Sequence, residues 1–225
     1  LRPFFSYYGS KWRSVRLYPT PQCQRLIEAF AGSAGYALRF PHLQVELWDL
    51  DPVICGLWQY LISASSAEIK SLPLISAGQT VDDLCVCQEA RWLIGFWINK
   101  GTTHPARTPG AWFRSGIRPA SSWGPQVRQR IADQVGEIRH WKIHHGSYRS
   151  IPDAAATWFV DPPYQRQGRK YRHGSGQIDY AELAQWSLNR RGQLIVCEQN
   201  GATWLPFTPL KAIKSTTGTS SEVLF

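Results

Sequence analysis

The residues best placed to do chemistry are Asp161-Pro162-Pro163-Tyr164, which close an apolar run, Trp158-Phe159-Val160. Val160 and its neighbours suit pleated core positions, while the two prolines lack a backbone donor and fix their own φ, so a buried strand must stop here. The Asp161 carboxylate is left at the carboxyl edge of a sheet, where open α/β sheets bind ligands. Consecutive prolines also free the Pro162 carbonyl to accept a hydrogen bond. An acid, a free carbonyl and an aromatic ring on one stiff turn make a receptor for a flat base with an exocyclic amine. The bland alternative is an ordinary strand-ending turn with a capping acid.

Other elements must bring a ligand to that turn. Leu26-Ile27-Glu28-Ala29-Phe30 reads as a first strand running into Ala31-Gly32-Ser33-Ala34-Gly35 and a short helix from Tyr36 to about Phe40. Glycine at 32 and 35 lets backbone approach a ligand closely, and the helix would offer free N–H groups to a carboxylate. Val45-Glu46-Leu47-Trp48 reads as a second strand, tipped by Asp49-Leu50-Asp51. A carboxylate there can accept hydrogen bonds from ribose hydroxyls. At the amino end, Gly9 permits a tight turn that sets Lys11 beside Tyr7 and Tyr8.

In chain order, Tyr7-Tyr8-Gly9-Ser10-Lys11, Phe30-Ala31-Gly32-Ser33-Ala34-Gly35-Tyr36 and Asp161-Pro162-Pro163-Tyr164 resemble the motifs of amino-group DNA adenine methyltransferases that use S-adenosylmethionine. The resemblance spans nearly the whole chain and implies an α/β, Rossmann-like class I methyltransferase fold. Its sheet would be mostly parallel with an antiparallel C-terminal strand and helices on both faces, residues 1–84 and 143–225 forming the catalytic domain and 85–142 a small inserted DNA-contacting region. It implies direct methyl transfer to the N6 amino group of a flipped adenine, with S-adenosylhomocysteine as product and no metal. Asp161 and Pro162 would accept the amino hydrogens and Tyr164 would stack on the base.

The cofactor residues implied are Tyr7, Lys11, Phe30, Gly32, Gly35, Ser147 and Asp161, with Asp49 favoured for the ribose. Asp51 stands in reserve, since it could instead cap the helix that begins at Pro52. Many relatives carry an acid where Ser147 stands, and Asp153 is the candidate to meet that need. The asparagine- and phenylalanine-rich signature of site-specific members is not evident, which leaves the target sequence open. An RNA adenine methyltransferase shares this chemistry, a catalytically silent DNA-binding relative shares the fold, and protein glutamine methylation usually has asparagine at the position of Asp161.

Composition fits a polyanionic partner. The 225 residues are 43% hydrophobic and 18% charged, which marks a globular chain, and the formal net charge is +9. Nucleic acid, double-stranded DNA above all, is the first candidate and an anionic membrane surface the second. No apolar stretch approaches a membrane span and the amino end lacks a hydrophobic signal segment, so a cytoplasmic setting is expected, in a bacterial or phage-infected cell. Five cysteines without framework spacing suit a reducing compartment. Between Lys100 and Arg130, Arg107, Arg114 and Arg118 alternate with Trp112 and Trp123, and no acid appears before Asp133. These five are candidate nucleic-acid contacts, joined after Tyr164 by Arg166, Arg169, Lys170 and Arg172 in a glycine-rich loop suited to a phosphate clamp or a lid.

The remaining chain reads as helices from Val53 to about Leu61, around Trp92–Trp97, from Val127 to about Val135 and from Asp179 to about Leu188. Ser63–Asp83 reads as helix, turn and helix. Trp141–His145 and Gln193–Cys197 read as strands, and 207–213 with 222–225 as a closing antiparallel pair.

Overall fold

Strand β4 (Ala156–Val160) is buried at every position, as a strand with parallel neighbours on both sides must be. Those neighbours are β1 (Arg25–Glu28) and β5 (Gly192–Gln199). The computed structural model describes residues 1–115, 122–210, 213–215, 218–220 and 222–225. Beyond β1 lie β2 (Gln44–Asp49) and β3 (Lys142–His145), both parallel to it. Beyond β5, β6 (Thr208–Pro209) and β9 (Glu222–Leu224) form an antiparallel edge, while β7 (Ile213–Ser215) and β8 (Gly218–Ser220) make a separate hairpin. The large sheet has the order β3-β2-β1-β4-β5-β9-β6. Counting only its own strands, that is 3-2-1-4-5-7-6, parallel except at the end: the class I methyltransferase fold that the sequence led us to expect.

The period of two along each strand feeds two cores. Leu26, Phe159 and Ile195 face one side, and Ile27, Trp158, Val160 and Val196 the other. On the first side pack α1 (Pro52–Ser63), α2 (Ser66–Ser71), α3 (Gln88–Ile98) and α5 (Pro125–Gln134), through Leu57, Ile69, Phe96 and Ile131 among others. A short α4 (Ala111–Arg114) adds Phe113. On the second side α6 (Tyr180–Leu188) contributes Leu183 and Ala184. Helices α3 and α5, which fall within residues 85–142, thus share the sheet's own core. Asp51 and Asp179 cap α1 and α6 by accepting the backbone N–H of Val53 and of Ala181 and Glu182.

Two elements are shorter than their sequence suggests, and a third falls partly outside the described residues. The helix expected after the glycine turn is a single 3-10 turn, Ala37–Arg39, because Glu28 takes the Ala37 N–H and Pro41 follows at once. After α2, Pro73 breaks the next helix, leaving one 3-10 turn at Val81–Asp83. Of the strand expected over 207–213, Thr208–Pro209 pair with β9 and the Leu210 N–H donates to the Glu222 carbonyl at 2.9 Å, residues 211 and 212 lie outside the described residues, and Ile213 belongs to β7.

Candidate active site

The chain runs outward from β1 through β2 to β3, then returns on the other side of β1 as β4, so β1 and β4 flank the sheet's switch point. Such a reversal opens a crevice at the carboxyl ends of the strands. A cavity of ≈ 340 Å³ lies there, within the range of small-molecule sites. Its walls come from the ends of β1 (Glu28 to Gly32), β2 (Asp49 to Asp51), β3 (Gly146 to Arg149) and β4 (Asp161 and Pro163), and from Tyr7 to Lys11. The segment after Tyr164 crosses over it as a strap, contributing Tyr171, Arg172 and His173.

Asp161 and Lys11 form an ion pair of 2.8 Å, with side chains 17% and 6% exposed. Lys11 also donates to the Gly9 carbonyl at 2.8 Å, and its Nζ lies 4.8 Å from the centre of the Tyr164 ring. Burial opposes the ammonium charge, but Asp161 and then Glu222 outweigh it and hold Lys11 above its ordinary pKa. Burial pushes Asp161 up to about 6, against the pull of Lys11. The other carboxylate oxygen, Oδ1, is buried without a hydrogen-bond partner. A buried acceptor left unmade costs about 1–3 kcal/mol or more, so its persistence beside a cavity marks a place for a donor from outside.

Pro162 and Tyr164 belong to the same turn but do not line the cavity. Among the described residues nothing donates to the Pro162 carbonyl. The Tyr164 hydroxyl is buried and unpaired. The turn is held from outside: Tyr180 donates to the Pro163 carbonyl at 2.6 Å, and the Gln165 N–H to Glu198 at 3.2 Å. Glu198 is fully buried and also accepts from the Gln199 N–H and the Trp204 indole.

Of the expected cofactor residues, Tyr7, Lys11, Phe30, Gly32, Gly35, Asp49, Asp51, Ser147 and Asp161 all line the one cavity. Their local reasons differ from the sequence reading in three respects. Gly32, at φ +44°, takes a left-handed turn, whereas a Cβ on Gly35 would meet the backbone of Lys11 and Trp12 at 2.8–3.1 Å. Gly35 therefore also makes room for the amino-terminal motif. The Ala37 N–H, expected to be free, is bonded to Glu28 at 2.6 Å. Asp49, favoured for the ribose, already accepts one backbone N–H on each oxygen, of Gly32 and of Asp51, both at 2.9 Å. Asp51 receives Val53 and Arg172 on Oδ1 alone, which leaves its Oδ2 open. Burial raises Asp49 to about 6 and Glu28 to about 8. Asp153, the candidate partner for an adenine edge, lies instead at the amino end of β4, bonded to Arg191.

The strap explains Gly9. A Cβ there would meet the Tyr171 hydroxyl at 2.3 Å, and Tyr171 donates to the Tyr8 carbonyl at 3.3 Å. Thr103 donates to the Lys170 carbonyl at 3.0 Å and Arg172 reaches Asp51 at 3.4 Å. Arg172 is thus engaged at the cavity. Lys170 lies with Nζ 5.3 Å from the Tyr8 ring, and Arg166 and Arg169 are exposed.

In the 100–130 stretch, Arg107 pairs with Asp82, Arg114 donates to the Pro109 carbonyl, and Trp112 is exposed. Trp123 is not a surface contact: it is 1% exposed, its indole donates to the Pro73 carbonyl and its backbone N–H to the Trp97 carbonyl. Arg118 lies outside the described residues. Sequence reading missed Glu28, Glu198 and Tyr171. An acid closing an otherwise apolar strand, as in Leu26-Ile27-Glu28 and Val196-Cys197-Glu198, was the available signal for the first two; Tyr171 carries none.

No family model and no curated protein matches the chain. Among solved structures it is similar to a Haemophilus influenzae protein, HI0767, described as a "putative methylase", with 12% identity, a TM-score of 0.36, and coverage of 89% of this chain and 77% of that one. That likeness is too slight to bear on chemistry.

Proposed function

We propose that this chain is an S-adenosylmethionine-dependent methyltransferase that modifies the exocyclic amino group of adenine in DNA. The observation that carries the proposal is the buried, unpartnered Oδ1 of Asp161 on the wall of a switch-point cavity. The cavity suits the cofactor. Phe30 and Tyr148, ring centres 5.5 Å apart, offer an aromatic wall for a purine, and Asp51 Oδ2 is an open acceptor for ribose hydroxyls. Lys11 has three donors and uses two here, leaving one for a carboxylate. When bound, S-adenosylmethionine supplies an electrophilic methyl group on a sulfonium.

The protein's part is positioning and charge. Adenine's amino nitrogen is a poor nucleophile because its lone pair is delocalised into the ring. Asp161 Oδ1 accepting one amino hydrogen, and the Pro162 carbonyl the other, would favour a pyramidal nitrogen with its lone pair aimed along one direction. Lys11 fixes the far oxygen of Asp161, so the acceptor is preorganised before the base arrives. As the N–C bond formed, the bond from that methyl to sulfur would break, leaving a neutral thioether, and the nitrogen, now positively charged, would have to shed a proton. A carboxyl held near 6 can take it and release it to water. Tyr164 would meet the extruded base only once its ring, which does not line the cavity, turns toward it, a contact of about 1–3 kcal/mol in such sites.

The test is to incubate the protein with methyl-labelled cofactor and, separately, duplex DNA, single-stranded DNA and ribosomal RNA. Label recovered as N6-methyladenine in duplex DNA, and lost in an Asp161→Ala variant that still binds DNA, is the expected result. Label confined to RNA would move the substrate, and cofactor binding without transfer to any nucleic acid would overturn the reading.

A further inference from the structure

We infer that Lys100 and Lys170, brought beside Tyr8 at the mouth of the cavity, form a binding rim for a phosphodiester backbone, with the exposed ring of Trp112 beside it. The two cations come from distant parts of the chain and are drawn together by specific bonds. The Tyr8 N–H donates to the Thr102 carbonyl at 3.1 Å, bringing Lys100 alongside, and the Thr103 hydroxyl donates to the Lys170 carbonyl at 3.0 Å. Lys170 Nζ then sits 5.3 Å from the centre of the Tyr8 ring, and Lys100 Nζ 5.6 Å from that of Trp112. Tyr8 itself lines the cavity.

Neither lysine has an acid at ion-pair distance among the described residues. Lys100 is held below its ordinary pKa by partial burial and then by the charge of Arg13. Cations held beside aromatic rings suit a ligand with regularly spaced negative charges and stackable bases. The rim depends on the proposed function only for where along the backbone it binds, not for whether it binds.

The experiment is fluorescence anisotropy with labelled duplex DNA, single-stranded DNA and duplex RNA of one length, across a salt series, and with anionic phospholipid vesicles. It compares the intact protein, the Lys100→Ala/Lys170→Ala double variant, and Lys142→Ala, an exposed lysine on the outermost strand β3. Each phosphate contact contributes about 0.9 to the slope of log affinity against log salt on duplex DNA. The double variant is expected to lose about 1.8 from that slope, with a uniform fall in affinity across sequences, while Lys142→Ala matches the intact protein. The nucleic acid with the largest slope change identifies the backbone. A double variant indistinguishable from Lys142→Ala overturns the inference, as does loss of vesicle binding alone. Loss of nucleic-acid binding in a protein that transfers no methyl group would leave the rim standing and remove the proposed function; the converse pattern would do the reverse.

Discussion

Replacing Asp161 by asparagine keeps the side chain's shape and removes its charge. In the folded protein this strands the Lys11 ammonium, 6% exposed, without its partner at 2.8 Å. Breaking a buried pair in this way costs about 3–5 kcal/mol. The amide oxygen remains as a neutral acceptor, so the lower end, about 3 kcal/mol, applies. In a domain of this size each kcal/mol shifts Tm by about 2–4 °C, giving a fall of about 6–12 °C. The rate should fall further than stability suggests, by about 10²–10³, the usual consequence of losing one preorganised charged contact in a transition state. Single-turnover transfer to duplex DNA at saturating cofactor reads the chemical step, and thermal melting reads the fold. Adding Lys11→Met removes the orphaned charge, so the double variant should recover much of the Tm and none of the rate. Turnover within about threefold of the intact protein in Asp161→Asn, less than 1 kcal/mol of barrier, would refute the acceptor role.

Other perturbations probe the surrounding structure. Asp161 and Asp49 are lifted to about 6 and Glu28 to about 8, all above their unfolded values, so the folded state binds the extra protons. Stability measured by urea unfolding should therefore decline as pH rises from about 4 to about 8, while the single-turnover rate climbs through about 6 as Asp161 ionises; parallel trends would contradict this. Asp51→Ala should weaken cofactor binding about tenfold by calorimetry, and an unchanged affinity would return the ribose contact to Asp49. Gly35→Ala forces a Cβ to 2.8–3.1 Å from the Lys11 and Trp12 backbone and should lose about 1–3 kcal/mol in a denaturant melt; an unperturbed midpoint would mean the turn gives way easily. Glu198→Ala leaves the Gln165 N–H and the Trp204 indole without their acceptor, so kcat should fall while cofactor affinity holds, and a loss of affinity alone would place its influence elsewhere.

The sheet was legible because its strands carry their own punctuation. Val160 gives way to two prolines, Val45–Trp48 is followed by acids, and a glycine turn follows Phe30. Capping acids before α1 and α6 were readable too, since Asp51 precedes a proline and Asp179 precedes an apolar periodic run. What could not be read were bonds between distant parts of the chain. The close approach of the Lys11 and Trp12 backbone to Gly35 carries no local signal, and Trp123 looked like a surface aromatic because its arginine-rich neighbours hide its bonds to Pro73 and Trp97. Which backbone N–H groups reach Asp49 and Asp51 is likewise something spacing does not encode.

Strand β9 is made after every other strand of the large sheet, yet it lies inside it, between β5 and β6, and its Glu222 accepts the Tyr18 hydroxyl from the opposite end of the chain. On a translating ribosome, β1 to β5 can assemble early, but the edge that supports the Lys11 and Asp161 neighbourhood cannot form until residues 222–224 have left the exit tunnel. A nascent chain would thus hold its crevice unfinished until those residues emerge.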